Sequence, residues 1–340
     1  MRIVVLCGGE SSERDVSLAS GWAAAEALVS RGHEVAVIDP AVTQPVLAER
    51  LQEVADVPEF AVPKEPPDMR EQPLWQRRMF QALTSTPLLN RLREADQVFL
   101  AMHGGWGEDG RLQALLEMAG IGFTGAGSSV CAAAWRKDQS LAMLRAAGVP
   151  VTEQVRHPVG QAQPAAEAEA LLASGPVVVK PIAGGSSVNV RIAHTAAELR
   201  ASVSDDEEWV IETFLPGREF TVGVVGETVM PVVEIEISEP LFDYQSKYQP
   251  GAAREICPAD IPADLATQMQ KYALLAHQAL GFDWHTYSRV DFRCDAGGAP
   301  VCLEVNALPG LTPGSLLPLA AQAAGWSYPE LVERLIALKR

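Results

Sequence analysis

The chain has 340 residues, of which 48% are hydrophobic and 21% charged, and a formal net charge of −16. This length predicts two or three domains rather than a single core, and no apolar run is long enough to cross a bilayer. The negative charge disfavours nucleic acid and anionic membrane as partners, so any anionic ligand must be held by local cations.

The start of the chain and its cysteines bear on the cellular compartment. The first residues, MRIVVLCGGE, lead directly into a strand and show no signal-peptide layout. The five cysteines are odd in number, scattered and without C-x-x-C spacing, which argues against a disulfide framework and against a zinc site. We therefore expect a cytoplasmic protein.

Residues 2–39 read as a strand, a glycine-rich turn, a helix from Asp15 to Ser30 and a second strand, the βαβ opening of a doubly wound sheet. A dinucleotide site with Asp39 as ribose ligand is disfavoured, because the turn Cys7–Glu13 lacks the G-x-G-x-x-G spacing and carries two acids. Glu13, at the helix start, either caps the helix or binds an ammonium group. From this segment alone, capping is the favoured interpretation.

The segment 41–95 is interrupted by prolines, only residues 74–92 look helical, and we assign it no chemistry. A buried strand is then predicted at Gln97–Met102, followed directly by the glycine-rich stretch His103–Gly110. Glycines after a parallel strand bring backbone to the ligand-binding edge of a sheet. A site role for His103 is therefore slightly favoured over that of a plain turn histidine.

Two lysines stand out in the middle of the chain. Lys137 falls near the centre of a helix predicted from about Ser128 to Ala147, where a lone lysine is usually a solvated charge. Lys180 ends a buried strand and is followed by the small, hydroxyl-rich loop Ala183–Val188. A lysine followed by such a loop is typical of phosphate binding, although the spacing is not that of a Walker motif. This arrangement indicates a nucleotide site outside the P-loop fold.

Two further strands and a loop follow. Trp209–Glu212 is a strand that ends in an acid, and Phe220–Val225 is the next strand. The stretch Glu239–Cys257 is polar and rich in turn residues, with Lys247 and Tyr248 in its middle. Because it has little apolar surface to bury, it is interpreted as a mobile loop that serves as a lid.

The stretch from 288 to 315 predicts a hairpin with one charged face. Apolar and polar residues alternate on both sides of a loop at 296–299, the pattern of half-buried strands. The simplest register places Asp291 opposite Glu304. Arg289 would then face Asn306, and the second strand would alternate Val301, Leu303 and Val305 with Cys302, Glu304 and Asn306.

The facing acids of this hairpin allow two interpretations. A cation between Asp291 and Glu304 would offset their repulsion, and carboxylate and amide oxygens suit magnesium or manganese. Alternatively, the hairpin face is solvated and its two arginines neutralise the acids. From this segment alone the two interpretations are about equal. The loop that follows, from Leu308 to Ser315, is dense in turn residues and exposed amides, which favours a site.

Taken together, these stretches resemble the D-alanine:D-alanine ligases of the ATP-grasp superfamily. The resemblance extends from residue 3 to about 335 through GGESSERDVSL, HGGWGEDG, VVVKPIAGGSSV, IETFLPGREFTV, FDYQSKY, SRVDF and LEVNALPGLTPGS, in the family's order. It implies an α/β (α+β) fold: an N-terminal, Rossmann-like preATP-grasp domain followed by a two-subdomain ATP-grasp fold. The implied boundaries are 1–126, 127–212 and 213–340, the last with the metal site and a lid at about 239–257.

The resemblance also implies a role for individual residues. ATP would be bound by Lys137, Lys180, Ser186, Glu212, Leu215, Glu219 and Lys247. Two magnesium (or manganese) ions would be held by Asp291, Glu304 and Asn306. The D-alanine substrates would contact Glu13, His103, Arg289, Gly310, Ser315 and Leu316. The catalytic set would be Glu13, Ser186, Tyr248, Arg289 and Gly310, in which Glu13, Ser186 and Tyr248 tie the lid shut and Arg289 with the Gly310 amide stabilises an oxyanion.

The implied activity is the ATP-dependent joining of two D-alanine molecules, through a D-alanyl phosphate, for peptidoglycan precursor synthesis. A cytoplasmic homodimer without nucleic-acid or membrane partners is expected. The alternatives are a ligase of the same mechanism with another amino-acid or hydroxy-acid acceptor, and a nucleotide-binding regulator without turnover; Tyr248 favours D-alanine as the acceptor. Two departures from the family pattern, Asn189 for glycine and Thr213 for lysine or glutamine, bear on ATP affinity.

Overall fold

The computed structural model describes residues 1–53, 62–63, 65–186, 188–237 and 253–338. Within these ranges the chain forms three β-sheets with helices packed against them, the mixed α/β architecture predicted from the sequence. The lid interpretation, with Lys247 and Tyr248, falls outside the described residues apart from its last few positions. None of the described helices is both long and apolar enough to cross a membrane.

The N-terminal part is a four-stranded sheet in the order β3-β2-β1-β4, in which β1 pairs in parallel with β2 and β4. The predicted βαβ opening is confirmed. The elements are β1 (Arg2–Leu6), α1 (Arg14–Ser30), β2 (Glu34–Ile38), β3 (Val46–Ala48), α2 (Gln72–Leu83), α3 (Thr86–Glu94), β4 (Gln97–Leu100), α4 (Gly105–Glu108) and α5 (Arg111–Met118), with short 3₁₀ turns at Leu51–Glu53 and Met69–Glu71.

The central part contains a four-stranded antiparallel sheet in the order β5-β8-β6-β7. Its elements are α6 (Ser128–Trp135), α7 (Lys137–Ala146), β5 (Gln154–His157), α8 (Ala166–Ser174), β6 (Val177–Pro181), β7 (Arg191–Ala193), α9 (Ala196–Ser202) and β8 (Trp209–Thr213). Helices α8 and α9 share a small core with this sheet, whereas α6 and α7 pack into the core of the sheet that follows.

The C-terminal part is built on a six-stranded antiparallel sheet in the order β12-β11-β9-β13-β14, with β10 paired to β9. Its elements are β9 (Glu219–Val225), β10 (Thr228–Val229), β11 (Val233–Ile237), β12 (Ala253–Ile256), α10 (Ala263–Ala279), β13 (Tyr287–Cys294), β14 (Pro300–Asn306), α11 (Leu316–Ala323) and α12 (Tyr328–Ala337). Helix α12 packs back on α1, so the end of the chain shares a core with its beginning.

Two predicted helices are each interrupted. The predicted helix 128–147 breaks at Arg136, whose extended backbone forms a β-bridge with Ala183, so Lys137 is the first residue of a second helix and not the middle of one. The predicted helix at 74–92 breaks at Thr84 and Ser85, and the Ser85 side chain caps α3. A backbone partner distant in sequence explains the first break and a local cap explains the second.

The charged hairpin has the predicted register at its open end and a bulge in its middle. Asp291 pairs with Glu304 as predicted, but Phe292 pairs with Cys302, which leaves Leu303 as the extra residue. The predicted alternation is therefore wrong beyond the bulge. Cys302 is fully buried, whereas Leu303 faces the cavity described below.

Candidate active site

A cavity of about 460 Å³ lies where the three sheets meet. Parallel strands of the first sheet bring the loops after β1 and β4 to one edge, and the other two sheets close over that edge. Every predicted site residue within the described ranges lines this cavity: Glu13, His103, Lys137, Lys180, Ser186, Glu212, Leu215, Glu219, Arg289, Asp291, Glu304, Asn306, Gly310, Ser315 and Leu316. Lys247 and Tyr248 lie outside the described residues.

Glu13 connects the first part of the chain to the central loop. It sits at the N-cap of α1, yet its side chain makes no capping hydrogen bond, so the capping interpretation is wrong. Instead the carboxylate accepts a hydrogen bond from the Ser186 hydroxyl. A side chain at Gly104 or at Gly185 would collide with this carboxylate and force it to move, and Gly104 also has a positive φ of +67°.

Asp39 has no capacity left for a ribose. Its carboxylate is buried, forms an ion pair with Arg14, and accepts the backbone N–H groups of Gly9 (3.2 Å) and Ala41 (2.9 Å). It thus stabilises the turn after β1. These contacts agree with the prediction that Asp39 is not the ribose ligand of a dinucleotide site.

Lys180 and Glu212 form a buried ion pair at the base of the cavity. The Lys180 Nζ lies 3.0 Å from the Glu212 Oε2, which also accepts the Thr152 hydroxyl at 3.1 Å. Burial by itself lowers the pKa of Lys180, but the carboxylates of Glu212, Glu304 and Glu219 outweigh it and the pKa is raised. The lysine is therefore charged at neutral pH. The Glu212 Oε1 is buried and has no hydrogen-bond partner among the described residues.

Lys137 is buried as well, so it is not a solvated helical lysine. Its Nζ donates to the Gly184 carbonyl at 2.5 Å and lies 3.9 Å from the Glu304 Oε2. The break at Arg136 turns the first residue of α7 toward the loop after β6. Two buried ammonium groups therefore approach the same cavity from different elements.

The hairpin face carries the predicted metal donors. Asp291 accepts two hydrogen bonds from the Arg289 guanidinium, at 2.8 and 2.7 Å, and one from the Thr221 hydroxyl at 2.6 Å. The Asn306 amide donates to the same carboxylate at 2.9 Å. Arg289 and Lys137 thus offset the repulsion between Asp291 and Glu304. The alternative of a solvated face with two neutralising arginines holds only for Arg289, because Arg293 pairs with Glu219 and the face lines the cavity; the metal interpretation stays a prediction.

The donor chemistry nevertheless fits a hard divalent cation. Asp291, Glu304 and Asn306 offer carboxylate and amide oxygens on one face of two paired strands, with no thiolate or imidazole among them. Turning the Asn306 side-chain amide over would present its oxygen in place of its nitrogen. The two carboxylates in register are the feature that favours a cation here.

His103 is held by protein groups on both ring nitrogens. Its Nδ1 donates to the Leu308 carbonyl at 3.0 Å, and its Nε2 lies 2.9 Å from the Ser20 hydroxyl. The side chain is almost fully buried. Both ring nitrogens are therefore already hydrogen-bonded to protein groups. The contact of His103 with a substrate carboxylate stays a prediction.

The loop after β14 leads into α11 and offers backbone donors. Ser315 is the N-cap residue of α11 but makes no side-chain cap; its hydroxyl pairs with that of Thr312 at 2.8 Å. The amides of Leu316 and Leu317 therefore receive no cap from Ser315 and carry the partial positive charge of a helix N-terminus, whereas Pro318, the third residue, has no N–H. Gly310 lies between this helix and the hairpin.

The far wall of the cavity contains Glu219, Leu215 and Arg293. Glu219 is directly paired in register with Arg293, and its Oε2 lies 3.6 Å from the guanidinium. Leu215 is almost fully buried. This wall combines an apolar surface with an acid, which suits a nucleoside.

Three residues near the site were not predicted from the sequence: Thr221, Ser20 and Glu255. Thr221 and Ser20 bond to predicted site residues, but a lone hydroxyl in a strand or helix has no distinguishing signal in sequence. Glu255 lines the cavity from β12, and burial raises its pKa although Arg289 opposes the shift. It lies in the stretch interpreted as a lid, where no strand was predicted.

Comparison with known proteins places this chain in a family. A family model described as the D-ala D-ala ligase N-terminus matches residues 2–126, and one described as the D-ala D-ala ligase C-terminus matches residues 143–337. The chain belongs to the D-alanine:D-alanine ligase family. The proposed domain boundaries inside this ligase stay a prediction.

Curated relatives support the same assignment over the whole ligase. A D-alanine--D-alanine ligase of Gluconobacter oxydans is 38% identical over 343 residues, covering 99% of this chain and 98% of the relative. One of Halalkalibacterium halodurans is 37% identical over 350 residues, covering 99% of each.

Solved structures of related ligases share the fold. A D-alanine--D-alanine ligase of Bacillus anthracis complexed with ATP is 28% identical with a TM-score of 0.75, covering 99% of this chain and 97% of the other. The VanG D-Ala:D-Ser ligase of Enterococcus faecalis is 26% identical with a TM-score of 0.73, covering 99% and 98%. The second neighbour joins a different acceptor, so the fold does not by itself select D-alanine.

One departure from the family pattern has a backbone explanation. Asn189 has φ +62° and Ser186 has φ +47°, both in the left-handed region. Asparagine is among the residues that tolerate this region best after glycine, which explains how it replaces the usual glycine. Thr213 ends β8, is exposed and lines the cavity, and no contact within the described part of the chain explains the replacement of lysine or glutamine.

Proposed function

We propose that this protein is an ATP-dependent, ADP-forming ligase that joins two D-alanine molecules into D-alanyl-D-alanine for peptidoglycan precursor synthesis. The observation that carries the proposal is the meeting, in one cavity, of two buried lysines with two carboxylates in register. Such a site can neutralise a polyphosphate while keeping oxygen donors for cations. Family membership supplies the substrate class.

ATP would lie between the central sheet and the hairpin. Lys180 and Lys137 would hold its phosphates, because they are the buried cations of this part of the cavity. The unpartnered Glu212 Oε1 is suited to accept an N–H of adenine, and Glu219 to accept a ribose hydroxyl. Leu215 and Ser186 would complete the pocket, and Lys247, outside the described residues, would reach the γ-phosphate.

Asp291, Glu304 and Asn306 would hold two magnesium or manganese ions. Bound there, the ions would neutralise phosphate charge and polarise the γ-phosphoryl group. The chain's own contribution is the orientation of the donors. Arg289 and Thr221 fix the Asp291 carboxylate through three hydrogen bonds within the described structure.

The first step activates a carboxylate that is otherwise a poor electrophile. A carboxylate oxygen of the first D-alanine attacks the γ-phosphorus, the bond from that phosphorus to the β,γ-bridging oxygen breaks, and ADP leaves with the electron pair. Glu13 would hold the substrate ammonium, since its carboxylate faces the cavity from a helix start. His103 would lie near the substrate carboxylate.

The second step forms the peptide bond. The amine of the second D-alanine, after losing a proton to solvent, attacks the acyl carbon of D-alanyl phosphate, and phosphate leaves. Arg289 and the Gly310 amide would stabilise the tetrahedral oxyanion. The N-terminus of α11, at Ser315 and Leu316, would bind the carboxylate of the second substrate. Tyr248, outside the described residues, would close the lid with Glu13 and Ser186.

The same proposal includes the setting in which the enzyme works. We expect a cytoplasmic homodimer with ATP and D-alanine as its small-molecule partners and with no nucleic-acid or membrane partner. We also expect the domain boundaries given above, at 1–126, 127–212 and 213–340.

The deciding experiment measures ADP release with ATP and magnesium against a panel of D- and L-amino acids and D-hydroxy acids, with products identified by mass spectrometry. D-alanine alone should give one ADP per D-alanyl-D-alanine. Mixed dipeptides or esters formed in preference would assign the alternative acceptor. ATP binding without D-alanine-dependent ADP release would identify a regulator and overturn the proposal.

A further inference from the structure

Ser20 lies inside α1, about two helical turns after Glu13, and its side chain is fully buried. Its hydroxyl oxygen lies 2.9 Å from the His103 Nε2 and accepts the Leu311 backbone N–H at 3.3 Å. Both partners belong to cavity loops. No sequence motif marked this serine.

The donors and acceptors of this group can be assigned one by one. The Leu308 carbonyl only accepts, so the His103 Nδ1 carries the hydrogen of their 3.0 Å bond. In the neutral imidazole the Nε2 is then an acceptor, which the Ser20 hydroxyl satisfies as donor. The Ser20 oxygen keeps its lone pairs for the Leu311 N–H. Every group in the chain of bonds is satisfied.

These bonds hold both ends of one short stretch of backbone. Leu308 and Leu311 flank Gly310, and the Leu311 carbonyl also accepts the Tyr328 hydroxyl at 2.6 Å. The loop is thus tied to α1 through Ser20 and His103, and to α12 through Tyr328. Gly310 lies between these two tied residues and lines the cavity.

We infer that Ser20 is a positioning residue for the second step, which holds the Gly310 amide at the oxyanion position through His103 and Leu311. The inference rests on the proposed function. It predicts that loss of the hydroxyl impairs peptide-bond formation more than formation of D-alanyl phosphate, because Lys137, Lys180 and Glu13 are untouched and His103 keeps its bond to the Leu308 carbonyl.

Ser17 provides a matched control. It is on the same helix, is equally buried, and its hydroxyl donates to the Ala101 carbonyl at 2.7 Å. Ser17→Ala therefore removes a buried hydroxyl from α1 without touching the loop that contains Gly310. Ser20→Cys nearly preserves the volume of the serine side chain but leaves a weak donor and acceptor, so it separates packing from hydrogen bonding.

The test compares two rates in each variant. Scrambling of the β,γ-bridging oxygen of labelled ATP reports reversible formation of the acyl phosphate, and dipeptide release reports the second step. Loss of one hydrogen bond that stabilises the transition state lowers the rate by about fivefold. Ser20→Ala and Ser20→Cys should lower the ratio of dipeptide release to scrambling by about fivefold or more, and Ser17→Ala should leave the ratio of the wild type. Hydrogen exchange of the Leu311 amide should accelerate only in the Ser20 variants.

The outcomes separate the inference from the proposed function. Equal loss of both rates in Ser20→Ala, or the same change of ratio in Ser17→Ala, would overturn the positioning role. An unchanged hydrogen-exchange rate of the Leu311 amide in the Ser20 variants would also overturn the positioning role, even if the wild type were inactive. Absence of both scrambling and dipeptide in the wild type would instead overturn the proposed function.

Discussion

The buried pair of Lys180 and Glu212 allows structural and functional roles to be separated. Lys180→Met keeps the length of the side chain and removes its charge. The Glu212 carboxylate, 1% exposed, would then keep only the Thr152 hydroxyl on its Oε2 and no partner among the described residues on its Oε1. Removing one partner of a buried ion pair typically costs about 3–5 kcal/mol.

A double variant tests whether that cost comes from the uncompensated charge. Lys180→Met with Glu212→Gln removes both charges, and the introduced side-chain amide can still bond to Thr152, so the free energy of unfolding should return to within about 1–2 kcal/mol of wild type. ATP affinity should stay lost in both variants, because the phosphate ligand is absent in each.

Lys137→Met serves as the comparison. Its Nζ donates to the Gly184 carbonyl and lies 3.9 Å from Glu304, which is partly exposed, so the loss of stability should be about 1.5–3 kcal/mol, smaller than in Lys180→Met, while ATP affinity falls. Urea unfolding without nucleotide and calorimetric titration with ATP measure the two quantities. Wild-type stability in Lys180→Met, or recovered ATP affinity in the double variant, would refute the reasoning.

Three further predictions concern individual side chains. Glu304→Gln should keep the thermal midpoint but lower kcat by about 10²–10³, the scale of a lost charge-stabilising group, and near-normal kcat would make this acid structural. Burial lowers the pKa of His277 to about 4, so the native state loses stability relative to the protonated unfolded chain as pH falls from about 6.5 toward 4, by about 3 kcal/mol. His277→Asn should remove that part of the slope, and an unchanged slope would contradict it. Burial raises the pKa of Glu255, so the native state loses stability as pH rises above the ordinary pKa of a glutamate. Glu255→Gln should therefore become more stable relative to wild type as pH rises. A difference in stability that does not change with pH would count against this.

Sequence periodicity predicted the strands and turns that depend only on neighbouring residues. Alternation on both sides of 296–299 was sufficient for the hairpin and for the pairing of Asp291 with Glu304. The bulge at Leu303 was not predictable, because one extra residue leaves the composition of the strand unchanged. The break at Arg136 depends on a bridge to Ala183, which no helical periodicity contains.

The site was predicted as a set of residues, and of its side-chain contacts only the hydrogen bond between Ser186 and Glu13, which the resemblance implied, is confirmed. The resemblance selected the residues that meet in the cavity, whereas local rules alone assigned Glu13 to capping and Lys137 to solvent. Both assignments failed for the same reason: the partner lies far along the chain, at Ser186 for the acid and at Gly184 for the lysine. Long-range contacts of this kind follow from packing and leave no periodic signal.

The most direct test of the central claim follows oxygen through the reaction. D-alanine labelled with ¹⁸O in its carboxylate is incubated with ATP, magnesium and the enzyme, and phosphate and dipeptide are analysed by mass spectrometry. If D-alanyl phosphate is the intermediate, one ¹⁸O per dipeptide moves from the carboxylate into inorganic phosphate, because the carbon–oxygen bond of the acyl phosphate breaks in the second step. Dipeptide formed with unlabelled phosphate, or phosphate released without dipeptide, would contradict the account.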